Sequence, residues 1–301
     1  MNCIFQEKGQ SLQWQIFHVT IFIHTLTIAK PFQNCCFFIL ALATAYLVIT
    51  GRPSSNGVKT EILDISNPSM SCLLDDTTYR YGSQGGLLGS TPVICGGHDG
   101  SGSANGTGTG RECLLYGTSQ MITMNIDREF YSSVMLDNSM IWLIGGHSWT
   151  AWGLLDSTEF VTKDGAVSGP ILPETSFAAC AIKFDSNGYV YLISGGPDSG
   201  PTDNVWISNP LDEFAFIQGP SVISARRFCG CATMSIGAKK IIIAAGGKFG
   251  SYNYLSSVEV LDPLTNNIWV AGKWWSIDNV RENRLTLHVA SMGYVSNCLP
   301  T

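Results

Sequence analysis

The chain has 301 residues and a formal net charge of −6, with 45% hydrophobic residues, 13% charged residues and 32 glycines. About a quarter of the residues in an average domain are charged, so this composition favours short strands joined by glycine and serine turns over helices with charged surfaces. A slightly acidic chain with few basic residues lacks the basic patch that binds nucleic acid, and we exclude nucleic acid as a partner.

The N-terminal segment, residues 1–45, is apolar and differs from the rest of the chain. Its two apolar runs, 16–29 and 35–49, are each shorter than the ~18–20 residues of a membrane-spanning helix. The second run contains Ala43-Thr44-Ala45, which is typical of signal-peptide cleavage sites, so we predict a helical signal segment that is cleaved after Ala45. An uncleaved membrane anchor and a buried hydrophobic strand pair are the alternatives. Any contact with a membrane would be made only through this segment.

Residues 46–301 form a second region in which apolar runs ending in glycine recur. The last glycines of the five runs are at 51, 97, 146, 196 and 247, so the steps are 46, 49, 50 and 51 residues. A phosphate-binding loop would occur once and precede a helix, whereas these glycines recur and precede strands. We therefore interpret them as sharp turns that a side chain would obstruct. The glycines are Gly51, Gly96, Gly97, Gly145, Gly146, Gly195, Gly196, Gly246 and Gly247.

Three further strands accompany the glycine run in a complete unit. A following strand carries an acid at a recurring place, namely Glu61, Glu112, Glu159 and Glu259, with Asn204 in the remaining unit. We interpret these acids as structural, because a catalytic acid need not occur once in every repeat. A strand rich in small residues precedes the run at 130–136, 177–183 and 228–234. With a last strand, clearest at 266–272, each unit has four short strands, and such units stack radially as propeller blades.

This repeat resembles the kelch repeat over about residues 46–291, on the apolar run with its glycine pair, the spaced glutamate and the late Trp269. The resemblance implies an all-β fold, a kelch-type β-propeller. We count four full blades and two partial ones, because the first unit lacks its preceding strand and the last, at 284–295, ends without a glycine pair. A six-bladed ring truncated at its C-terminus is the simplest interpretation, and a ring completed by a partner chain is the alternative.

Ten cysteines are present, and disulfides are expected if the chain is secreted. Cys95 and Cys113 lie on neighbouring strands of one blade and are candidate partners, with Cys72–Cys113 as a rival pairing. Cys180 and Cys231 fall among small residues at equivalent positions, so we expect them to be buried thiols. Asn105 begins the one acceptable N-glycosylation sequon, in a glycine- and serine-rich loop where a glycan would be tolerated.

The loops after the glycines and the turns before the blades should share one face of a propeller. The first group carries exposed aromatic candidates for partner binding, namely Trp149, Trp152, Phe249, Tyr252 and Tyr254, and the second carries basic ones, namely Arg80, Arg128, Arg226, Arg227 and Arg284. Aromatic and arginine side chains of this kind anchor partners, but both groups could instead pack between blades. His98 and His147 follow glycine pairs on consecutive blades and would lie on the same face, where they could form a metal-binding or catalytic pair. That they are solvated turn residues is the simpler interpretation.

We find no catalytic constellation, no cofactor-binding motif and no set of metal ligands in the sequence. The copper ligands that a galactose-oxidase-like enzyme would need are not recognisable, and the BTB and BACK domains that precede intracellular kelch adaptors do not fit into 45 apolar residues. We therefore predict a non-enzymatic propeller, extracellular or membrane-anchored, that binds a protein or glycan. An intracellular adaptor and a galactose-oxidase-like enzyme are the alternatives.

Overall fold

The structure is a computed structural model. It describes residues 17–21, 46–51, 60–64, 71–74, 82–89, 91–98, 110–116, 118–236, 239–250, 253–264 and 275–277. Every regular element in these ranges is a β-strand, and five antiparallel sheets of four strands follow one another along the chain. The all-β prediction is confirmed, and four of the sheets are arranged as the blades of a propeller.

The N-terminal sheet comprises β1 (Phe17–Ile21), β2 (Tyr46–Gly51), β3 (Thr60–Asp64) and β4 (Ser71–Leu74). Blade 1 comprises β5 (Gln84–Leu88), β6 (Thr91–Cys95), β7 (Glu112–Leu115) and β8 (Met121–Thr123). Blade 2 comprises β9 (Ser132–Asp137), β10 (Met140–Ile144), β13 (Thr158–Thr162) and β14 (Gly165–Ser168), and between its second and third strands it carries the hairpin of β11 (His147–Ser148) and β12 (Gly153–Leu154).

Blade 3 comprises β15 (Cys180–Phe184), β16 (Tyr189–Ile193), β17 (Val205–Ser208) and β18 (Phe216–Gln218). Blade 4 comprises β19 (Gly230–Ile236), β20 (Lys239–Ala245), β23 (Val258–Leu261) and β24 (Trp275–Ile277), with a second hairpin formed by β21 (Lys248–Phe249) and β22 (Asn253–Tyr254). Each sheet is a meander in which neighbouring strands are antiparallel.

The N-terminal sheet corrects two predictions. Phe17–Ile21 forms a strand, not part of a helix, and pairs with Tyr46–Gly51 from Phe17–Gly51 to Ile21–Leu47. This strand supplies the preceding strand that the first unit was predicted to lack. Its sequence, FHVTI, contains three β-branched residues in succession, which suit a strand better than a helix. The rest of residues 1–45, including the predicted cleavage site at Ala45, lies outside the described residues, as does the partial unit at 284–295.

The core lies in layers between successive blades, because the glycine strands are apolar on both faces. In β10, Ile141 and Leu143 pack in the layer shared with blade 1, whereas Trp142 and Ile144 pack in the layer shared with blade 3. Alternate side chains of a strand point to opposite faces, so a continuous apolar run fills two layers at once. Trp142 is fully buried and stacks on Phe160 at 5.5 Å between ring centroids.

A chain of backbone hydrogen bonds links the inner ends of the four blades. The N–H of Phe130 donates to the carbonyl of Gly82, that of Ala178 to Phe130, and that of Phe228 to Ala178, each at 2.8 Å. All four residues have positive φ angles, from 49° at Phe130 to 73° at Gly82. These bonds define which residues are equivalent in successive blades more directly than sequence spacing does.

The second glycines of blades 2 and 4 lie where the end of the glycine strand meets the turn that leads into the same blade. Gly146 has φ 104°, and a Cβ added there would lie 2.7 Å from the carbonyl oxygen of Glu129. At Gly247, with φ 91°, the corresponding distance to the carbonyl oxygen of Arg227 is 2.6 Å. Both positions therefore need glycine for conformation and for space, which is an architectural requirement.

The blade 3 glycines are displaced by one residue from those of the other blades. The N–H of Gly145 bonds to Ser157 and that of Gly246 to Ser257, but in blade 3 it is the N–H of Ser194 that makes this bond, to Asn204. Ser194 also has the positive φ of the first glycine, 59°. Ser194-Gly195, and not Gly195-Gly196, thus takes the structural place of the glycine pair.

Strand register also corrects the predicted set of equivalent acids. Glu61, Glu159 and Glu259 pair with the residue two positions before the first glycine, namely Ile49, Leu143 and Ala244. The carbonyls of Glu112 and Asn204 instead accept the hydrogen bond from the first residue of the glycine turn, which the carbonyls of Ser157 and Ser257 accept in blades 2 and 4. Glu112 and Asn204 are therefore equivalent to these serines, which lie two residues before Glu159 and Glu259. Loops of different length after the glycines let the next strand enter its ladder at a different residue.

Candidate binding face

The candidate site is the face of the propeller that carries the glycine loops and the turns leading into the blades, here called the loop face. The turn that leads into each of blades 2, 3 and 4 contains one of the residues joined by the chain of backbone hydrogen bonds, namely Phe130, Ala178 or Phe228. The residue just before it is hydrogen-bonded through the backbone to the residue that follows the glycine turn of the same blade. Glu129 forms an antiparallel bridge with His147, and Arg227 forms the same bridge with Lys248. In blade 3 the N–H of Phe177 donates to the carbonyl of Gly196 at 3.2 Å. We call these the mouth pairs of blades 2, 3 and 4.

Three phenylalanine rings meet beside the mouth pairs. The centroids of Phe130 and Phe177 are 5.3 Å apart, and Phe228 lies 5.5 Å from each of them. The rings meet edge to face, which is the favourable arrangement for aromatic pairs. All three are half-buried, so they form an aromatic floor that is still partly accessible at the loop face.

The mouth pair of blade 2 holds a carboxylate that is in contact with three neighbouring side chains. Glu129 Oε1 lies 3.1 Å from Nδ1 of His147 and accepts a 2.9 Å hydrogen bond from Nε1 of Trp149. Nε2 of His98 lies 3.2 Å from Oε2 of the same carboxylate. The two histidines that follow glycine pairs therefore do come together, but on Glu129, whose side chain is only 5% exposed. Across the described ranges there is no group of three or more His, Cys, Asp and Glu side chains that could hold a metal ion.

The hairpin of blade 2 is fixed by a buried aspartate that the sequence analysis did not single out. Asp127 Oδ1 accepts hydrogen bonds from the hydroxyls of Ser148, at 2.7 Å, and Thr150, and Oδ2 accepts one from the backbone N–H of Trp149 at 3.0 Å. Because Asp127 is completely buried, these bonds are shielded from water and hold the hairpin in one conformation. Trp152, at the tip, is 71% exposed.

Four of the five predicted aromatic residues are placed, and they lie on the two hairpins. Trp149 and Trp152 belong to the hairpin of blade 2, and Phe249 and Tyr254 belong to the hairpin of blade 4, with exposures of 39%, 71%, 50% and 44%. Tyr252 lies outside the described residues. The hairpins thus present aromatic surface to solvent on two blades that are separated by blade 3.

The predicted basic residues divide into a buried pair and a half-exposed one. Arg128 and Arg226 are 1% and 0% exposed, so the prediction that they bind a partner is wrong. Nη2 of Arg128 lies 2.7 Å from Oε1 of Glu159, and Arg226 makes the same contact with Glu259. Each carboxylate also accepts two backbone N–H bonds from the preceding segment. These two pairs stabilise the turns, whereas Arg80 and Arg284 lie outside the described residues.

The mouth pair of blade 4 carries two cations. Nη2 of Arg227 donates to the carbonyls of Gly196 at 3.0 Å, Gly200 at 3.1 Å and Pro197. Its guanidinium carbon lies 5.4 Å from the ring centroid of Phe177, and Nζ of Lys248 lies 4.8 Å from that of Phe228. Desolvation lowers the pKa of both groups, and the charge of Arg227 lowers the pKa of Lys248 further. The sequence analysis named Arg227 but missed Lys248, which follows Gly247 directly.

The cysteines form two disulfides within the described chain, Cys95–Cys113 and Cys180–Cys231. The first was the preferred pairing in the sequence, and it excludes the rival Cys72–Cys113. The second corrects the expectation of buried thiols. Cys180 is equivalent to Gly230 and not to Cys231, since Cys180 pairs with Ile193 and Gly230 with Ala245. An offset of one residue turns the two side chains towards each other in the layer between blades 3 and 4.

No protein-family model matches the chain, and no match is found among curated proteins. Among the described residues, no helix has the length and hydropathy needed to cross a membrane. Asn105 lies outside the described residues.

Proposed function

We propose that this chain is a non-enzymatic binding propeller of the kelch type that engages a partner protein or glycan through its loop face. The observation that carries the proposal is the pair of aromatic hairpins. Trp152 and Phe249 are at least half exposed, yet the backbone that presents them is ordered by antiparallel pairing and, in blade 2, by the buried Asp127. Exposed aromatic side chains on a rigid support lose little conformational entropy on binding and are typical of interface hot spots.

The proposal extends to an extracellular or membrane-anchored location. Its support is the two disulfides, because such bonds persist in oxidising compartments. N-terminal sequencing of the secreted product should give Tyr46 as the first residue, in which case the mature chain lacks Phe17–Ile21 and its pairing with Tyr46–Gly51. Glycosidase treatment should lower the mass of the product through Asn105. A product that stays inside the cell with reduced cysteines would contradict this location.

The binding role is tested by screening the purified chain against arrays of extracellular proteins and glycans. We expect a reproducible ligand whose affinity falls at least tenfold, about 1.4 kcal/mol, in Trp152→Ala or Phe249→Ala. Leu211→Ala is the matched control, since Leu211 is 93% exposed in the β17–β18 connection, on the opposite face. Equal affinity in wild type and both aromatic variants would contradict the loop face as the binding surface.

A further inference from the structure

We propose that Arg227 and Lys248 form a recognition site for a carboxylate on an acidic segment of a partner protein. This inference rests on the proposed binding role and names the chemistry of the group that is bound. The two cations belong to one mouth pair and are joined by backbone hydrogen bonds of 2.9 Å and 2.8 Å, so their side chains leave the same point of the loop face.

The first argument is charge that is compensated only in part. Neither Arg227 nor Lys248 forms an ion pair within the described part of the chain, although each is half-buried. The negative charge of Asp198 acts on Arg227, whereas the nearby charge that acts on Lys248 is the positive one of Arg227. The other two arginines of the leading turns, Arg128 and Arg226, are both neutralised by a glutamate. Partly desolvated cations are stabilised strongly by an anion that enters the site, because the local dielectric is lower than that of water.

The second argument is the supply of open hydrogen-bond donors. The three carbonyls that Arg227 contacts all face Nη2, which leaves the two N–H groups of Nη1 without a partner in the described residues, and Nε is buried and unpaired there. Nζ of Lys248 has no hydrogen-bond acceptor among the described residues either. Carboxylate oxygens accept charge-assisted hydrogen bonds from both types of donor. Because Nη2 is occupied, a bidentate grip by Arg227 alone is blocked, and we expect one carboxylate shared between the two cations.

The third argument concerns the source of the carboxylate. Around the two cations lie the aromatic floor and the exposed ring of Phe249, and the carbonyls of residues 196–200 already accept hydrogen bonds from Arg227. Asp198 of the same loop acts electrostatically on Arg227, so we expect an incoming carboxylate to lie towards Lys248. A uronic acid would bring several hydroxyl groups that need partners, and unpaired buried polar groups are costly. An aspartate or glutamate flanked by apolar residues meets this mixture of cations and aromatic rings without such a cost.

Blade 2 has the opposite arrangement at its own mouth pair. There Glu129 lies 3.2 Å from Nε2 of His98 and is hydrogen-bonded to His147 and Trp149, so this charged group already has partners within the protein. Of the mouth pairs of blades 2 and 4, we therefore assign the anion site to that of blade 4. A partner whose carboxylate binds there also contacts the hairpin of blade 4, because Lys248 belongs to β21.

The test selects displayed random peptides on the full chain at low salt and measures the affinity of the best peptide by calorimetry. We expect enrichment of peptides with one acidic residue between apolar ones, and at least a tenfold loss of affinity when that residue is replaced by its amide. Lys248→Met should cause a similar loss, Lys248→Arg should retain most of the affinity, and Lys240→Met should have no effect. Lys240 is the matched control because it is exposed on blade 4 and its replacement changes the net charge equally. Unfolding midpoints should be unchanged in all three variants.

The outcomes separate this inference from the proposed function. Loss of peptide affinity in Phe249→Ala but not in Lys248→Met would overturn the carboxylate site and leave the loop face as a binding surface. Loss in Lys248→Met alone would support the carboxylate site and contradict the role of the hairpin. Selection of peptides without acidic residues, or binding of polyuronate with no acidic peptide enriched, would overturn the proposed acidic protein segment.

Discussion

The leading turns of blades 2 and 4 can be compared position by position. Arg128 and Arg226 are both buried on a glutamate, and the next residues but one, Phe130 and Phe228, both have positive φ angles and contribute to the aromatic floor. Between them stands Glu129 in one turn and Arg227 in the other. The two flanking positions are thus the same in both turns, whereas the position between them carries opposite charges, on the buried Glu129 and on the half-buried Arg227.

The same comparison shows two ways of holding a turn against the blade before it. After Phe130 comes Tyr131, whose hydroxyl lies 2.7 Å from the carbonyl oxygens of both Gln84 and Cys95 on blade 1. After Phe228 comes Cys229, a buried thiol that forms no disulfide, and blade 4 is instead joined to blade 3 by Cys180–Cys231. Repeated backbone geometry therefore tolerates polar or covalent links between blades, as long as the layer between them is filled.

The largest effect should come from the feature that both turns share. Glu159→Ala or Glu259→Ala leaves a fully buried arginine without its counter-ion, and we expect each to lower the free energy of unfolding by about 3–5 kcal/mol, because an uncompensated buried charge is strongly unfavourable. Chemical denaturation measures the change. Asn204→Ala is the control: Asn204 was predicted to stand at the same place, but its side chain donates to Glu174 at 2.7 Å and accepts from Gln218 at 3.5 Å, and it neutralises no buried arginine. Equal losses in all three variants would refute the distinction.

The cysteine variants should rank next and separate the two kinds of link. Replacing Cys180 and Cys231 by serine opens a loop of 51 residues, whereas replacing Cys95 and Cys113 opens one of 18. Loop-closure entropy predicts losses of about 4 and about 3 kcal/mol in the free energy of unfolding. Denaturation of the two double variants, with wild type under reducing conditions as a reference, checks the order. A larger loss from the shorter loop would contradict it.

The repeat period, the number of strands in a blade and the glycine turns could be predicted from the sequence, because an apolar run that ends in glycine and recurs at a fixed spacing is typical of few other structures. The register of the strands could not be predicted. The one-residue shift of the glycine turn to Ser194, and the two-residue shift of Glu112 and Asn204, depend on loop lengths whose effect appears only when the strands pair. For the same reason Cys180 and Cys231 seemed equivalent although an offset of one residue makes them face each other. Burial of Arg128 was hidden because a glutamate 31 residues away neutralises it.

A smaller effect should follow removal of the tyrosine hydroxyl that links blades 1 and 2. Tyr131→Phe deprives buried carbonyl groups of a donor while preserving the ring, and we expect a loss of about 1–2 kcal/mol in the free energy of unfolding. Tyr254→Phe, at an exposed ring on the hairpin of blade 4, is the control and should change stability very little. Equal stability of the Tyr131 variant and wild type would mean that the hydroxyl bonds add nothing to the link.

The smallest effect concerns Cys229, the counterpart of Tyr131. Burial raises the pKa of its thiol to about 11 from 9.0, an increase that the nearby Arg226 only partly offsets. Since the folded pKa lies above the unfolded one, the protonated thiol favours the folded state below pH 9, and this contribution is lost as pH rises towards 11. Urea denaturation at pH 8 and pH 10.5 should therefore show a steeper decline for wild type than for Cys229→Ala. Cys229 of the folded wild type should also resist iodoacetamide at pH 8, as mass spectrometry of the peptide that contains it would show, because the thiolate is the reactive form and this thiol is buried. Parallel declines together with rapid alkylation would show that this position is open to solvent, and that blade 4 is held at this point less tightly than blade 2.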